Sequence, residues 1–447
     1  MLEVGTNDVL AMATTPGFNP NNIGAYSPSD WRLRPVTDVL EPGSVFKPFV
    51  LAGALEEGTV NLGTTFDCEE GYYRVGGYGI HDTHAHDVLT AAEIIQKSSN
   101  IGIYKIARTL GKERLYEYLR GFGFGRRTGI GLPGERPGRL RPPSDWSEIG
   151  FANIAFGQGV SATPLQVAAG LSAIANDGLL MQPQVVEEVR NHRGEVVRSS
   201  EPTMRRRVVS EQTADKVTSA MAKVMTEEGT GTRAMLSGFK GAGKTGTAQQ
   251  IDPKTGGYGE DNWVGSFGGF APASSPEIVV LVMIDEPAKT HYGGVVAAPA
   301  FETIAQKALA IRGVEAGQPV EADDEEKKDT GGDDGARAGT ANLLSASTSR
   351  ETTSSVVLPD DGSSEKEQPS SVPDFEGMSL GAAVRKAARL GVLPRVRGWG
   401  RVVDQSPAAG EPLRQADELT LVLAPARRSG GEMEGRVQTG RSAPGGH

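Results

Sequence analysis

The stretch Trp263-Val264-Gly265-Ser266-Phe267-Gly268-Gly269-Phe270, a turn marked by Pro272 and Pro276, and the run Ile278-Val279-Val280-Leu281-Val282-Met283-Ile284 decide the fold class. An unbroken apolar run that short, rich in β-branched side chains, reads as a strand buried on both faces. The segment before the proline-bearing turn predicts its antiparallel partner in a hairpin. Just beyond, residues 298–311 read as a closing helix. Upstream the periodicity is helical over 89–97 and 101–110, with Ser98-Ser99-Asn100 between them, and again over 163–178 and 211–227. Thr163-Pro164-Leu165-Gln166 is a helix start: Thr163 caps, Pro164 fits the first turn and Gln166 completes a capping box. Near the beginning, Asp8-Val9-Leu10-Ala11-Met12-Ala13 reads as a strand. Strands at both ends with helices between them predict an α/β (α+β) fold, an antiparallel sheet flanked by helices plus an all-helical subdomain.

The chain has 447 residues, more than one ordinary core, so two or three domains are expected. Composition divides it into four regions. Residues 1–315 carry good apolar periodicity. Residues 316–371 are Asp, Glu, Ser, Thr and Gly with almost no aromatic side chain, a disordered linker by composition. Residues 372–424 regain apolar pattern, and 425–447 are a Gly, Arg and Ser-rich tail expected to fray. The net charge of -10 resides largely in the acidic linker. No basic face of the kind nucleic-acid binders show is evident. A single cysteine, Cys68, excludes intramolecular disulfides and cysteine metal clusters. No apolar run is long enough to span a bilayer, and no secretion signal is visible.

Three short motifs carry chemistry. Ser44-Val45-Phe46-Lys47 opens a helical pattern continued by Phe49, Val50, Ala54 and Leu55. The spacing puts Ser44 and Lys47 on one face. The helix start offers unpaired N–H groups and positive dipole character to an anion formed at the serine. A serine hydroxyl needs a base to become a nucleophile, and Lys47 serves if burial and a neighbouring cation hold it neutral. Ser98-Ser99-Asn100 lies at a helix break, where a hydroxyl can relay protons and an amide can hold a substrate amide. Lys244-Thr245-Gly246-Thr247 fits an edge strand whose glycine admits a second backbone, so an extended peptide can add there while Lys244 and the threonines take its carboxylate. The N–H groups of Ser44 and Thr247 can then form an oxyanion hole. Each motif alone is bland: a helix start with a solvated lysine, a polar turn, a glycine-bearing strand. The Lys-Thr ending also suits a phosphate loop, but the Gly-x-x-x-x-Gly-Lys-Ser/Thr spacing reads as broken, with Phe239 in the place of the first glycine, and the surroundings do not read as parallel strand, loop and helix.

In this order Ser-x-x-Lys, Ser-x-Asn and Lys-Thr-Gly form the signature of penicillin-binding proteins and class A β-lactamases. The chain resembles a class B penicillin-binding protein of the division type over nearly all of residues 5–313. Pro16-Gly17-Phe18-Asn19-Pro20, Glu41-Pro42-Gly43-Ser44, Phe156-Gly157-Gln158-Gly159, Gly229-Thr230-Gly231-Thr232 and Tyr292-Gly293-Gly294 extend the likeness. Residues 372–424 resemble a PASTA domain, with Val372-Pro373-Asp374-Phe375-Glu376-Gly377-Met378 as its opening and Val403-Asp404-Gln405-Ser406-Pro407-Ala408-Ala409-Gly410 as a turn-rich middle.

The resemblance implies a peptidoglycan D,D-transpeptidase acting on D-Ala-D-Ala stem peptides through a serine acyl-enzyme in septal wall synthesis. It implies inhibition by β-lactams, a glycosyltransferase partner in the division machinery, and no cofactor or metal. Ser44, Lys47, Ser98, Asn100 and Lys244 are its catalytic set. Thr245, Gly246 and Thr247 bind substrate, and the Ser44 and Thr247 N–H groups form the oxyanion hole. The family's cytoplasmic stub, inner-membrane anchor and pedestal are not in this sequence, and the catalytic domain is expected on the periplasmic side. The first family strand reads as cut at Met1. A D,D-carboxypeptidase or β-lactamase uses the same triad, though no convincing Glu-x-x-x-Asn segment for a class A deacylating acid reads out between Asn100 and Lys244, and a non-catalytic wall-binding or β-lactam-sensing protein is a further alternative. An intact triad argues against the last. The dense His81-Asp82-Thr83-His84-Ala85-His86-Asp87 resembles a metal site, yet a structural or substrate-groove role is favoured.

Overall fold

Strands β1 (Leu2–Glu3), β2 (Ala242–Ile251), β3 (Tyr258–Ala271) and β4 (Ile278–Asp285) form one antiparallel sheet in the order β1-β4-β3-β2. This computed structural model describes residues 1–251, 258–314 and, of the C-terminal part, 371–378, 380–389, 392, 394–398, 401–412 and 419–424. The predicted hairpin is present, with Phe270 opposite Val279 and Phe267 opposite Val282. Alternation of side chains across the sheet splits the apolar run between two cores. Val279 joins one with Phe270 and Ala242, whereas Ile278 and Val280 join the other with Phe267 and Phe301. A strand facing two cores has no polar side, which is why its sequence does not alternate.

Helix α1 (Lys47–Glu56) is buried along nearly its whole length. Around it and behind the sheet lie α2 (Ala91–Lys97), α3 (Asn100–Leu110), α4 (Pro164–Ala175) and α5 (Glu211–Ala222), while α6 (Ala298–Ile311) covers the other face. Phe46, Phe49, Phe122 and Phe124 stack beneath the start of α1, with centroid separations of 4.7 to 5.6 Å. The capping box of Thr163 and Gln166 is formed as read. So is one not anticipated, Thr90 with Glu93. That box starts α2 at Ala91, so Leu89 belongs to a short strand (Val88–Thr90) rather than to the helix. Helix α5 stops at Ala222 and tightens into a 3₁₀ turn, Lys223–Met225, short of the predicted 227.

The strand expected over 8–13 is not there. Strand β1 lies earlier, pairing Leu2 with Val279, and the chain then doubles back. Gly5 and Asn7 take positive φ values of 101° and 61°, and the Glu3 N–H donates to Asp8 O at 2.9 Å. Asp8 and Val9 make only isolated bridges. Buried Asn7 fixes this reversal by donating to Met181 O at 2.8 Å and accepting from Ser172 Oγ at 2.5 Å. The apolar residues after it follow a path set by those contacts, not by their own apolar run.

Toward the C-terminus, a helix (Leu380–Arg389) accompanies a three-stranded sheet with its own core around Val372, Phe375, Val402 and Leu421. The middle read as turn-rich is half strand: Arg401–Ser406 pairs with Thr420–Ala424 before the turn at Pro407. The acidic linker, apart from Ser371, and the tail lie outside the described residues. Among the described residues, no helix is long and apolar enough to cross a membrane.

Candidate active site

Ser44 sits in a 3₁₀ turn, Gly43–Phe46, that runs directly into α1. Gly43 is required there. Its φ is +58°, and a Cβ would stand 2.9 Å from Thr247 O and 3.0 Å from the Ala248 Cβ. Gly246 answers from β2, since a Cβ on it would lie 3.0 Å from Val45 and 3.2 Å from Pro42 O. The serine turn and the edge strand therefore meet backbone to backbone. From the other side, the Gly43 N–H donates to Gly157 O at 3.0 Å and the Gly159 N–H donates to Glu41 Oε1 at 2.9 Å. Glu41 and the Phe156–Gly159 loop thus hold the turn that presents Ser44, which is itself half-buried.

Lys47 is fully buried. Its Nζ donates to Ser98 O at 2.5 Å, Asn100 Oδ1 at 2.8 Å and Ser98 Oγ at 3.2 Å. Ser98 closes α2 in the left-handed conformation, φ 64°, which turns its carbonyl and hydroxyl toward the lysine. Ser99 caps α3 and Asn100 opens it. Burial lowers Lys47 from 10.5 to about 7, against the opposing pull of Asp82 and Cys68. Lys244, also fully buried, is held well below its ordinary value by burial and then by the charge of Lys47. Repulsion between two buried ammonium groups is mutual, and here it adds to the burial that lowers Lys244.

Strand β2 is the sheet edge, as read. Lys244 Nζ lies 3.3 Å from both Thr245 O and Thr245 Oγ1. The Thr245 hydroxyl is 2.9 Å from that of Thr230, and the Thr247 hydroxyl accepts from the Gly293 N–H at 3.3 Å. Thr245 is buried and Thr247 is more open. The glycines of the 229–232 and 292–294 segments thus have a local reason: a side chain on Gly293 would strike Gly246 O, and one on Gly294 would strike Thr230 O.

Asp82 escaped the sequence reading. Its carboxylate accepts from Ser99 Oγ and the Asn100 N–H at 2.5 Å each and from the Ile101 N–H at 3.0 Å, while His81 O accepts from Asn100 Nδ2 at 2.8 Å. The His/Asp density marked the right segment for another reason. Among the described residues no set of three His, Cys, Asp or Glu side chains is arranged to hold a metal. Cys68 is buried beside Ser99, and burial raises its thiol.

A phosphate loop is excluded by the fold and not by spacing. Gly238-Phe239-Lys240-Gly241-Ala242-Gly243-Lys244-Thr245 does satisfy Gly-x-x-x-x-Gly-Lys-Thr. Yet Lys244 and Thr245 lie inside an antiparallel strand, paired with Gly268 and Phe267, where no helix N-terminus can receive a phosphate. Glu187 and Asn191 likewise have the Glu-x-x-x-Asn spacing of a β-lactamase acid. Glu187 is exposed, however, and Asn191 closes a hairpin turn by accepting from the Arg193 and Glu195 N–H groups.

Residues 1–306 match the penicillin binding protein transpeptidase domain family, and residues 370–425 match the PASTA domain. The chain belongs to the penicillin-binding protein transpeptidase family. It is 36% identical over 323 residues to the probable peptidoglycan D,D-transpeptidase PenA of Neisseria gonorrhoeae, covering 72% of this chain and 53% of that protein. It is 39% identical over 313 residues to the stage V sporulation protein D of Bacillus subtilis, covering 69% of this chain and 48% of that one. The crystal structure of penicillin-binding protein 3 from Mycobacterium tuberculosis, complexed with aztreonam, superposes with a TM-score of 0.65 at 37% identity, covering 71% of this chain and 73% of that one. The chain spans about half the length of these curated relatives, 53% and 48%. As a penicillin-binding transpeptidase domain, it has the mixed fold expected: an antiparallel sheet between helices, followed by a PASTA domain.

Proposed function

We propose that this chain is a serine-type peptidoglycan D,D-transpeptidase that crosslinks stem peptides through an acyl-enzyme on Ser44. The observation that carries it is a half-buried serine flanked by two fully buried lysines, one bound to Ser98 and Asn100 and the other on an open sheet edge. A donor stem peptide pairs along β2, its terminal carboxylate against Lys244, Thr245 and Thr247, and Gly246 permits the close approach. Lys47, with a pKa of about 7, takes the Ser44 proton as the hydroxyl attacks the penultimate D-Ala carbonyl. The Ser44 and Thr247 N–H groups stabilise the oxyanion. The C–N bond breaks, Ser98 relays the proton to the departing D-Ala amine, and Asn100 holds the donor amide. An acceptor amine then attacks the ester, gives up its proton through the same relay and frees Ser44.

β-Lactams acylate Ser44 because their strained amide imitates the donor. The same reading divides the chain into a transpeptidase domain (1–315), a linker (316–371), a PASTA domain (372–424) that spaces or docks the enzyme, and a tail (425–447). It assigns the catalytic domain to the outer face of a cell inner membrane, in septal synthesis beside a division glycosyltransferase. Labelling with a fluorescent penicillin tests it. The wild-type chain is expected to take a stable covalent label and Ser44→Ala none. A folded wild-type chain that takes no label refutes the proposal, and rapid loss of label points to a β-lactamase instead.

A further inference from the structure

Asp82 lies in no signature motif, yet it is bonded to all three residues that begin α3. One oxygen takes the hydroxyl of Ser99, which itself caps the Gly102 N–H at 2.8 Å, and the other takes the N–H groups of Asn100 and Ile101. A carboxylate at a helix N-terminus satisfies orphan donors and complements the helix dipole. Here that end of the helix is also the active-site wall. Asn100 Oδ1 and Ser98 Oγ, on either side of Ser99, are the side-chain acceptors of Lys47. We propose that Asp82 is the positioning residue of this site, fixing Ser98 and Asn100 against Lys47 and supplying a carboxylate that faces the lysine. This rests on the transpeptidase reading for its consequence, though not for its geometry.

The charged and titratable groups that face Lys47 are Asp82 before α2, Cys68 under Ser99 and Lys244 on β2. Asp82 favours the ammonium form, so its charge opposes the burial that makes Lys47 a base. The fold retains this opposing charge because the same carboxylate anchors the helix start. Asp82→Asn separates the two duties. An amide oxygen still accepts from Asn100 and Ile101, and its NH₂ donates to Ser99 Oγ, but the charge is gone.

Two measurements on the full chain test the proposal. [13Cε]lysine NMR follows the Lys47 titration, its resonance identified by its absence in Lys47→Met. The rate of fluorescent-penicillin acylation against pH follows the same group through function. In Asp82→Asn the titration midpoint and the rising limb of the rate profile are expected about one pH unit lower than in wild type. Asp82→Glu, which keeps the charge and misplaces it by a methylene, is expected to hold the limb in place and lower the plateau. A midpoint that stays put in Asp82→Asn overturns the proposal. If that variant does not melt cooperatively, a midpoint that moves in Asp82→Glu with the charge intact overturns it. A wild-type chain that takes no penicillin while the midpoint moves as expected sinks the transpeptidase reading and leaves the coupling of Asp82 to Lys47 standing.

Discussion

Replacing Lys47 by methionine should raise stability at neutral pH relative to alkaline pH, although it ends catalysis. Burial lowers Lys47 from 10.5 to about 7. At about 1.4 kcal/mol per pH unit, housing this lysine destabilises the fold by about 5 kcal/mol below pH 7, relative to a chain in which it titrates normally. The sign follows from proton counting. Between the folded and unfolded pKa values the unfolded chain holds the proton more tightly, so wild-type stability rises with pH across that window. Lys47→Met does not titrate there. The stability difference, variant minus wild type, should therefore fall by about 2 kcal/mol between about pH 7 and about pH 9. Methionine also leaves Ser98 O and Asn100 Oδ1 without their donor, at about 1–3 kcal/mol each, but that penalty is the same at both pH values and drops out of the comparison. Lys244, relieved of the charge of Lys47, acts in the same sense. Urea unfolding of both proteins at the two pH values, followed by the fluorescence of tryptophans that include buried Trp146, measures the difference. A difference that does not change with pH refutes the reasoning.

Gly43→Ala forces an L side chain into φ +58° with its Cβ 2.9 Å from Thr247 O. It should cost about 1–3 kcal/mol and slow penicillin labelling, because the serine turn must withdraw from β2; melting temperature and labelling rate read the two effects. Gln166→Leu keeps the volume but leaves Arg126 O and Pro137 O without the amide that reaches them at 2.7 and 2.8 Å. It should lower stability by about 3 kcal/mol with Ser44 still labelled below the new melting temperature, since the partners of Gln166 are Thr163, Gly123, Arg126 and Pro137, none of them a site residue.

Where one residue type in one local pattern decides the geometry, the structure was legible in advance. The run at 278–284 had to be a doubly covered strand, and Thr163 with Gln166 had to start a helix. The error over 8–13 has the opposite cause. Those residues form a short apolar run of the strand type, but Asn7 is tied to Met181 and Ser172, which lie far along the chain, and its positive φ turns the backbone away. Long-range side-chain bonds of this kind leave no periodic trace. Asp82 was missed for the same reason: its partners are Ser99, Asn100 and Ile101, across a sequence gap that no motif spans.

The roles of the two lysines show how far motif spacing reaches. Ser44 and Lys47 share a face by helical geometry, and that much is in the tetrapeptide. Whether Lys47 is a base depends on its proton, and three groups from elsewhere govern that: the core that buries it, the thiol of Cys68 and the carboxylate of Asp82. Two buried amines in one site cannot both be charged cheaply, because each charge raises the cost of the other. The structure resolves the conflict unequally. Lys47 has a carboxylate nearby and stops at about 7, while among the described residues no carboxylate opposes the burial of Lys244, which sits well below its ordinary value. A donor carboxylate arriving beside Lys244 supplies the missing counter-charge, which favours a proton there and, by repulsion, a neutral Lys47. Substrate binding would then prepare the base, so the rising limb of acylation should lie at lower pH for a ligand that carries the carboxylate than for its amide. Measuring both limbs on the same chain decides the point, and coincident limbs would show that the two lysines titrate independently.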